Sequence, residues 1–221
     1  MTSTTPTGTG ATTGPTGSTT ATTATETRGN RMTTRDFINV GIFTALYYVV
    51  FFATGMIGFI NPILMFVGWA AGLILNGIVI ALFIARTPRF GAMTLLSVIL
   101  SILWVATGHP IYLIPALLVI GVVCDLLLGR LRGRPSLGVP LVYAIFSLWL
   151  IVPLFPILFA ADEYYEQLSA QMGADYVASM RELFQPWIIG AWAIVVFILA
   201  WLGGILGVRV GRRHFSRAGL A

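Results

Sequence analysis

Apart from a polar first segment, the chain is a series of long apolar runs separated by short polar connections. The first run, NVGIFTALYYVVFFATGM over 39–56, spaces its small residues in a row: Gly41 and Ala45 lie four apart, and Ala53 falls two steps further along. A helix needs about 20 largely apolar residues, rising 1.5 Å each, to cross roughly 30 Å of hydrocarbon. Six stretches fit that pattern, at about 36–58, 62–85, 91–107, 110–128, 137–160 and 186–208. The third is short and the fourth carries a charge. If 91–128 formed one re-entrant hairpin instead, its two ends would still share a side. The pattern predicts an all-α polytopic membrane protein, a six-transmembrane-helix bundle occupying residues 33–212.

Composition agrees with the pattern. The chain is 57% hydrophobic and 10% charged, where a soluble domain carries about 25% charged residues. Every basic residue is Arg, and the arginines alternate. Arg28, Arg31 and Arg35 precede the first span; Arg86 and Arg89 join the second and third. Arg130, Arg132 and Arg134 join the fourth and fifth, and Arg209, Arg212, Arg213 and Arg217 follow the sixth. The other connections hold only Arg181. Positive-inside reasoning then places both termini in the cytoplasm of a multi-pass plasma-membrane protein. The same clustering explains the net charge of +5 without a nucleic-acid partner.

Residues 1–32 are Thr-, Gly- and Pro-rich and have no large apolar residue after Met1 until Met32. Such a segment cannot bury enough surface to offset its ordering entropy, which predicts a disordered cytoplasmic tail. It lacks the apolar core of a signal peptide. A glycosylated stalk is the rival compositional reading, and it needs the tail outside. Residues 213–221 form a short basic tail. The connection 161–185 is acidic, and its pattern predicts one or two short amphipathic helices broken near Gly173. Loops of that length serve as lids or as solvated caps.

Catalytic sets are hard to find. Lys is absent, which removes the P-loop lysine and Schiff-base chemistry. Cys124 stands alone, excluding an intrachain disulfide and a thiolate metal cluster. The two histidines, His109 and His214, fall on opposite sides of the predicted topology, and no metalloprotease or serine-hydrolase motif occurs. Asp125 is the one acid well inside a span. An intramembrane acid is a functional candidate, but near Arg130 it can also snorkel or pair with a loop arginine. The expectation is therefore a protein without catalytic residues, metal or cofactor. No internal repeat supports an inverted-repeat transporter.

What remains is a binding cavity in the outer half. Asn61 and Trp69 open the second span, and Trp104 lies near the end of the third. His109 sits in the TGHP turn, Tyr112 opens the fourth span, and Trp149 precedes the PLFP segment. Trp192 lies near the start of the sixth. Prolines in a span free carbonyls that are tolerated only against protein or a wet cavity. An interfacial aromatic belt is the alternative, and it accounts for Trp187 better than for the deeper tryptophans. Asn76, near the middle of the second span, is either interhelical glue or cavity floor.

Six helices, inward termini, an outward pocket and a small-residue stripe on the first helix resemble the substrate-binding (S) components of energy-coupling factor transporters. The runs RDFINVGIFTALYYVVFF, GFINPILMFVGW, the TGH turn and YYEQLSAQMGADY resemble the MptD-type, or Trep_Strep, subfamily over about 33–210. The resemblance implies a non-catalytic subunit that captures a vitamin-like small molecule outside. It implies docking on a transmembrane coupling (T) subunit that carries two cytoplasmic ATPases. The family docks through an Ala-x-x-x-Ala face on its first helix, matched here by Gly41 and Ala45, with Gly in place of the first Ala. Packing inside the bundle is the other use of such a stripe. A second ridge, Gly203, Gly207 and Gly211, offers a rival docking face. Two other readings stay open: a non-transport membrane scaffold and an intramembrane enzyme built around His109 and the acidic loop.

Overall fold

The computed structural model describes residues 32–60 and 62–217, which are helical almost throughout and contain no strand. The predicted tail over 1–31, the cavity candidate Asn61 and residues 218–221 lie outside the described residues. Helix α1, Thr34–Gly55, opens with a capping box. The Asp36 amide donates to Thr33 Oγ1 at 3.4 Å, and the Thr33 amide donates to Asp36 Oδ2 at 2.8 Å. Two backbone donors at the helix end are thereby satisfied. A 3-10 turn, Met56–Phe59, leads on to α2, Pro62–Arg86.

Five helical stretches are long and apolar enough to cross a membrane: Thr34–Gly58, Ile63–Arg86, Leu113–Arg130, Pro135–Phe159 and Pro186–Arg212. The stretch expected over 91–107 is the shorter helix α3, Ala92–Ala106. Its 15 residues make a rod of about 22 Å, less than the hydrocarbon thickness. Helix α4 is Leu113–Arg130. Here the structure corrects the reading of Asp125. It is 2% exposed and turns inward, not toward Arg130. Its carboxyl accepts from the amides of Met93 (3.2 Å) and Thr94 (2.9 Å) and from Thr94 Oγ1 (2.6 Å), capping the start of α3. The unpaired amides of a helix N-terminus and its positive dipole end make that a good place for a buried acid.

The fifth stretch, expected as one helix over 137–160, changes character midway. Helix α5, Pro135–Ser147, gives way to a 3-10 segment, Leu148–Leu154, and a short α6, Phe155–Phe159. Pro153 and Pro156 lack the amide hydrogen that would continue an α-helical ladder. The acidic connection holds α7, Ala161–Met172, and α8, Ala174–Leu183, joined at Gly173 with φ +88°. That backbone conformation is open to glycine and strained for other residues. Helix α9, Pro186–Arg217, closes the bundle.

The bundle is tightest where α2 meets α9. A Cβ added at Gly203 would lie 2.8 Å from the Leu73 carbonyl oxygen, and one at Gly207 would lie 2.7 Å from the Ala81 Cβ. Such close backbone approach supplies the dispersion contact on which helices in lipid depend. Tyr143 on α5 donates to the Leu73 carbonyl of α2 at 2.6 Å. Asn76, fully buried, has no hydrogen-bond partner for either amide atom among the described residues and lines neither of the clefts described below.

Candidate functional site

Successive helices run in opposite directions, so one end of the bundle gathers the end of α1, the start of α2, the end of α3 and the start of α4. Between them is a cavity of about 700 Å³, within the usual range for a small-molecule site. The broken segment after α5 forms one wall through Trp149, Leu150 and Pro153, and α7 and α8 cover the mouth. Each device has a local cause. Regular α-helix ends at Ser147, Pro153 lacks the amide hydrogen to resume the α-helical ladder where the chain borders the cavity, and Gly173 turns α7 back into α8. Tyr176 of α8 ties this cover down by donating to the Gly58 carbonyl at 3.2 Å.

Trp104 is the centre of the inner wall. Its ring lies 4.9 Å from Tyr48, 5.4 Å from Trp149 and 4.7 Å from His109, centroid to centroid. Trp149 is fixed from behind, since its indole N–H donates to Tyr47 Oη at 3.0 Å. Trp104 Nε1 and His109 Nδ1 are buried and have no partner among the described residues. Burying polar atoms without partners is costly, and both atoms belong to residues that line the cavity. Burial holds the His109 pKa below its usual value, against a weaker opposing pull from a backbone hydrogen bond with Trp104. The imidazole is therefore neutral at neutral pH. Burial pushes Tyr164 up to about 12, with Tyr165, Tyr112 and Tyr176 adding to the effect, so its phenol stays protonated.

Five of the residues expected at a cavity share this one: Trp69, Trp104, His109, Tyr112 and Trp149. Trp192 does not line it. It stands behind, with its ring 4.6 Å from Phe66 and 6.1 Å from Trp69, and so supports the wall without facing the space. Missing from the sequence reading, beside Phe51 and Phe52 of α1 and Tyr176 of α8, were the polar residues of α7: Glu163, Tyr164, Gln167 and Gln171. Their signal was available, because 163, 167 and 171 are four apart and share one helix face. Among the described residues Glu163 is the one acid in the lining, and no arginine joins it. Among the described residues no cluster of His, Cys, Asp and Glu is suited to a metal ion.

The stripe on α1 faces away from all of this. Gly41 and Ala45 are exposed, and a Cβ added at Gly41 would meet nothing within 4 Å. Phe37, Ile38, Ile42 and Val49 around them are each more than half exposed. The alternative of packing inside the bundle is thus corrected for Gly41 and Ala45. The α9 ridge is the one that packs inside, through Gly203 and Gly207, against α2.

The model of one protein family, described as hypothetical bacterial integral membrane protein (Trep_Strep), matches residues 34–217, and the chain belongs to that family. No curated protein and no solved structure matches the chain.

Proposed function

We propose that this bacterial membrane protein is a substrate-capture subunit, an S component of an energy-coupling factor importer. In this reading α3 counts as a sixth crossing despite its length, and both termini lie in the cytoplasm of the plasma membrane. The separation of charge supports that orientation. Arg86, Arg89, Arg130, Arg132, Arg134, Arg209 and Arg212 all belong to the end opposite the cavity. The cavity then opens outward beneath the α7–α8 cover.

The observation that carries the proposal is the cavity itself: rich in aromatic side chains, among them Trp69, Trp104, Tyr112, Trp149 and Tyr164, with one carboxyl, Glu163, among its described lining residues. Aromatic walls select a flat ring system by stacking, and a single acid with no arginine disfavours phosphate or carboxylate cargo. The substrate class is therefore a neutral or singly cationic planar heterocycle. As the resemblance to energy-coupling factor S components implies, a T subunit with two ATPases supplies the energy in this reading, and the chain's lack of a nucleotide-binding motif is compatible with that division of labour. The exposed Gly41–Ala45 face is the docking surface, and the chain performs no chemistry of its own.

Native mass spectrometry of the protein purified from its own membranes tests the site. A small molecule should co-purify with the unaltered chain and be lost from Trp104→Ala. An empty wild-type protein, together with uptake that persists without ATPase partners, overturns the proposal.

A further inference from the structure

A second cleft, of about 380 Å³, lies at the arginine-rich end. It is bounded by the ends of α2, α4 and α9 and the starts of α3 and α5. Its floor is apolar, built from Leu82, Phe83, Phe90, Leu128, Val139 and Val208. Its rim carries Arg89, Arg132 and Arg212. Arg89 approaches Asp36 at 3.7 Å, whereas Arg132 and Arg212 form no ion pair among the described residues. Asp125 also borders the cleft, but both of its oxygens are held by the start of α3. Thr87 supplies an independent sign. It lines the cleft at 3% exposure, and its buried Oγ1 has no hydrogen-bond partner among the described residues.

We propose that this cleft binds one anionic phospholipid, its phosphate between Arg132 and Arg212 and the first part of an acyl chain on the apolar floor. Guanidinium groups recognise phosphate oxygens through paired, charge-assisted hydrogen bonds. Basic pockets between helices at a membrane face suit acidic headgroups. A small rotation of the Thr87 side chain would let its unpartnered hydroxyl donate to a further phosphate or ester oxygen. Arginines serving topology alone need neither an apolar cleft nor a buried hydroxyl beside them. A free phosphate makes no use of the floor. The site is independent of the transport reading, since it requires only that the chain sit in a bilayer.

The test uses the full-length protein, delipidated in neutral detergent and titrated separately with phosphatidylglycerol, phosphatidylcholine and inorganic phosphate under native mass spectrometry. One phosphatidylglycerol should be retained at least ten-fold more tightly than phosphatidylcholine. Arg132→Gln with Arg212→Gln should remove that preference, and Thr87→Val should weaken it about five-fold while the lipid-free protein melts no lower than the parent. Arg130→Gln with Arg134→Gln, outside the cleft lining, should leave it intact. Equal retention of the two lipids reveals annular lipid only and overturns the proposal. So does an equal loss in the control pair, or competition by inorganic phosphate at the concentration of the lipid. Loss of coupling-subunit co-purification in the Arg132 and Arg212 variant, without any lipid preference in the parent, assigns the cleft to a protein and also overturns it.

Discussion

Two helices of this protein carry the same signal, small residues four apart, and the structure sets them in opposite surroundings. On α9, Gly203 and Gly207 are buried, and their backbones touch α2 at Leu73, Gly77 and Ala81. On α1, Gly41 and Ala45 face outward, and among the described residues beyond its own helical turn nothing stands within 4 Å of a Cβ built at Gly41. Small residues make a helix approachable without saying by whom. What separates the stripes is the opposite face of each helix. The buried side of α1 is already filled by Val40, Phe43, Tyr47 and Phe51, which leaves its smooth side unpartnered.

The largest effect should come from filling the occupied stripe. Gly207→Leu drives a branched side chain into the Gly77 backbone and the Ala81 side chain. Overpacking typically costs about 1–3 kcal/mol and more where backbone cannot move. The variant should lose most of its monodisperse yield in size-exclusion chromatography, and even Gly207→Ala should lower the melting temperature. A Gly207→Leu protein of normal yield breaks the contrast at once.

Filling the empty stripe should leave the fold alone. Gly41→Leu with Ala45→Leu should keep its melting temperature within about 2 °C of the parent, because surface changes away from special features usually fall within about 0.5 kcal/mol. Ligand retention should persist, since the cavity lies at the other end of α1, by Phe51 and Phe52. Co-purification with a coupling subunit should drop at least about ten-fold, equivalent to 1.4 kcal/mol. Retained assembly with lost ligand would transfer the stripe from docking to folding.

The sequence made some of this legible and hid the rest for identifiable reasons. Apolar runs match membrane-length helical stretches in five places, because hydrocarbon forces both continuity and length, although the stretch Pro135–Phe159 passes through a 3-10 segment. Gly173 was readable as a break, since the turn there needs positive φ. The partner of Asp125 was not readable: Thr94 lies 31 positions away, and only the close passage of α4 beside α3 brings them together. The contribution of α7 to the cavity was hidden by the acidic character of the whole connection, although 163, 167 and 171 share one face. Trp192 was misplaced because a tryptophan's depth along a helix does not say which way its ring points.

A smaller effect sharpens the view of the occupied seam. Asn76 stands beside Gly77 on α2, fully buried with an unpartnered amide. Replacing an unsatisfied buried polar group with an apolar one of similar size recovers about 1–3 kcal/mol. Asn76→Leu should raise the melting temperature followed by tryptophan fluorescence. A fall would mean that the amide has a partner in the membrane and that the α2–α9 seam is held by more than close packing.

The smallest change is the most discriminating. Gly41→Ala adds one methyl group in the interior of a helix, where it meets nothing. Glycine costs a helix interior up to about 1 kcal/mol relative to alanine. The substitution should therefore raise the melting temperature slightly, opposite in sign to Gly207→Ala. It also creates the Ala-x-x-x-Ala pattern of the S components that the chain resembles, so on the proposed reading assembly with a coupling subunit should be retained or modestly strengthened. If Gly41→Ala weakens assembly as strongly as the leucine pair does, the partner approaches more closely than an alanine face allows. The glycine would then be a requirement of this particular interface rather than a tolerated departure from the pattern.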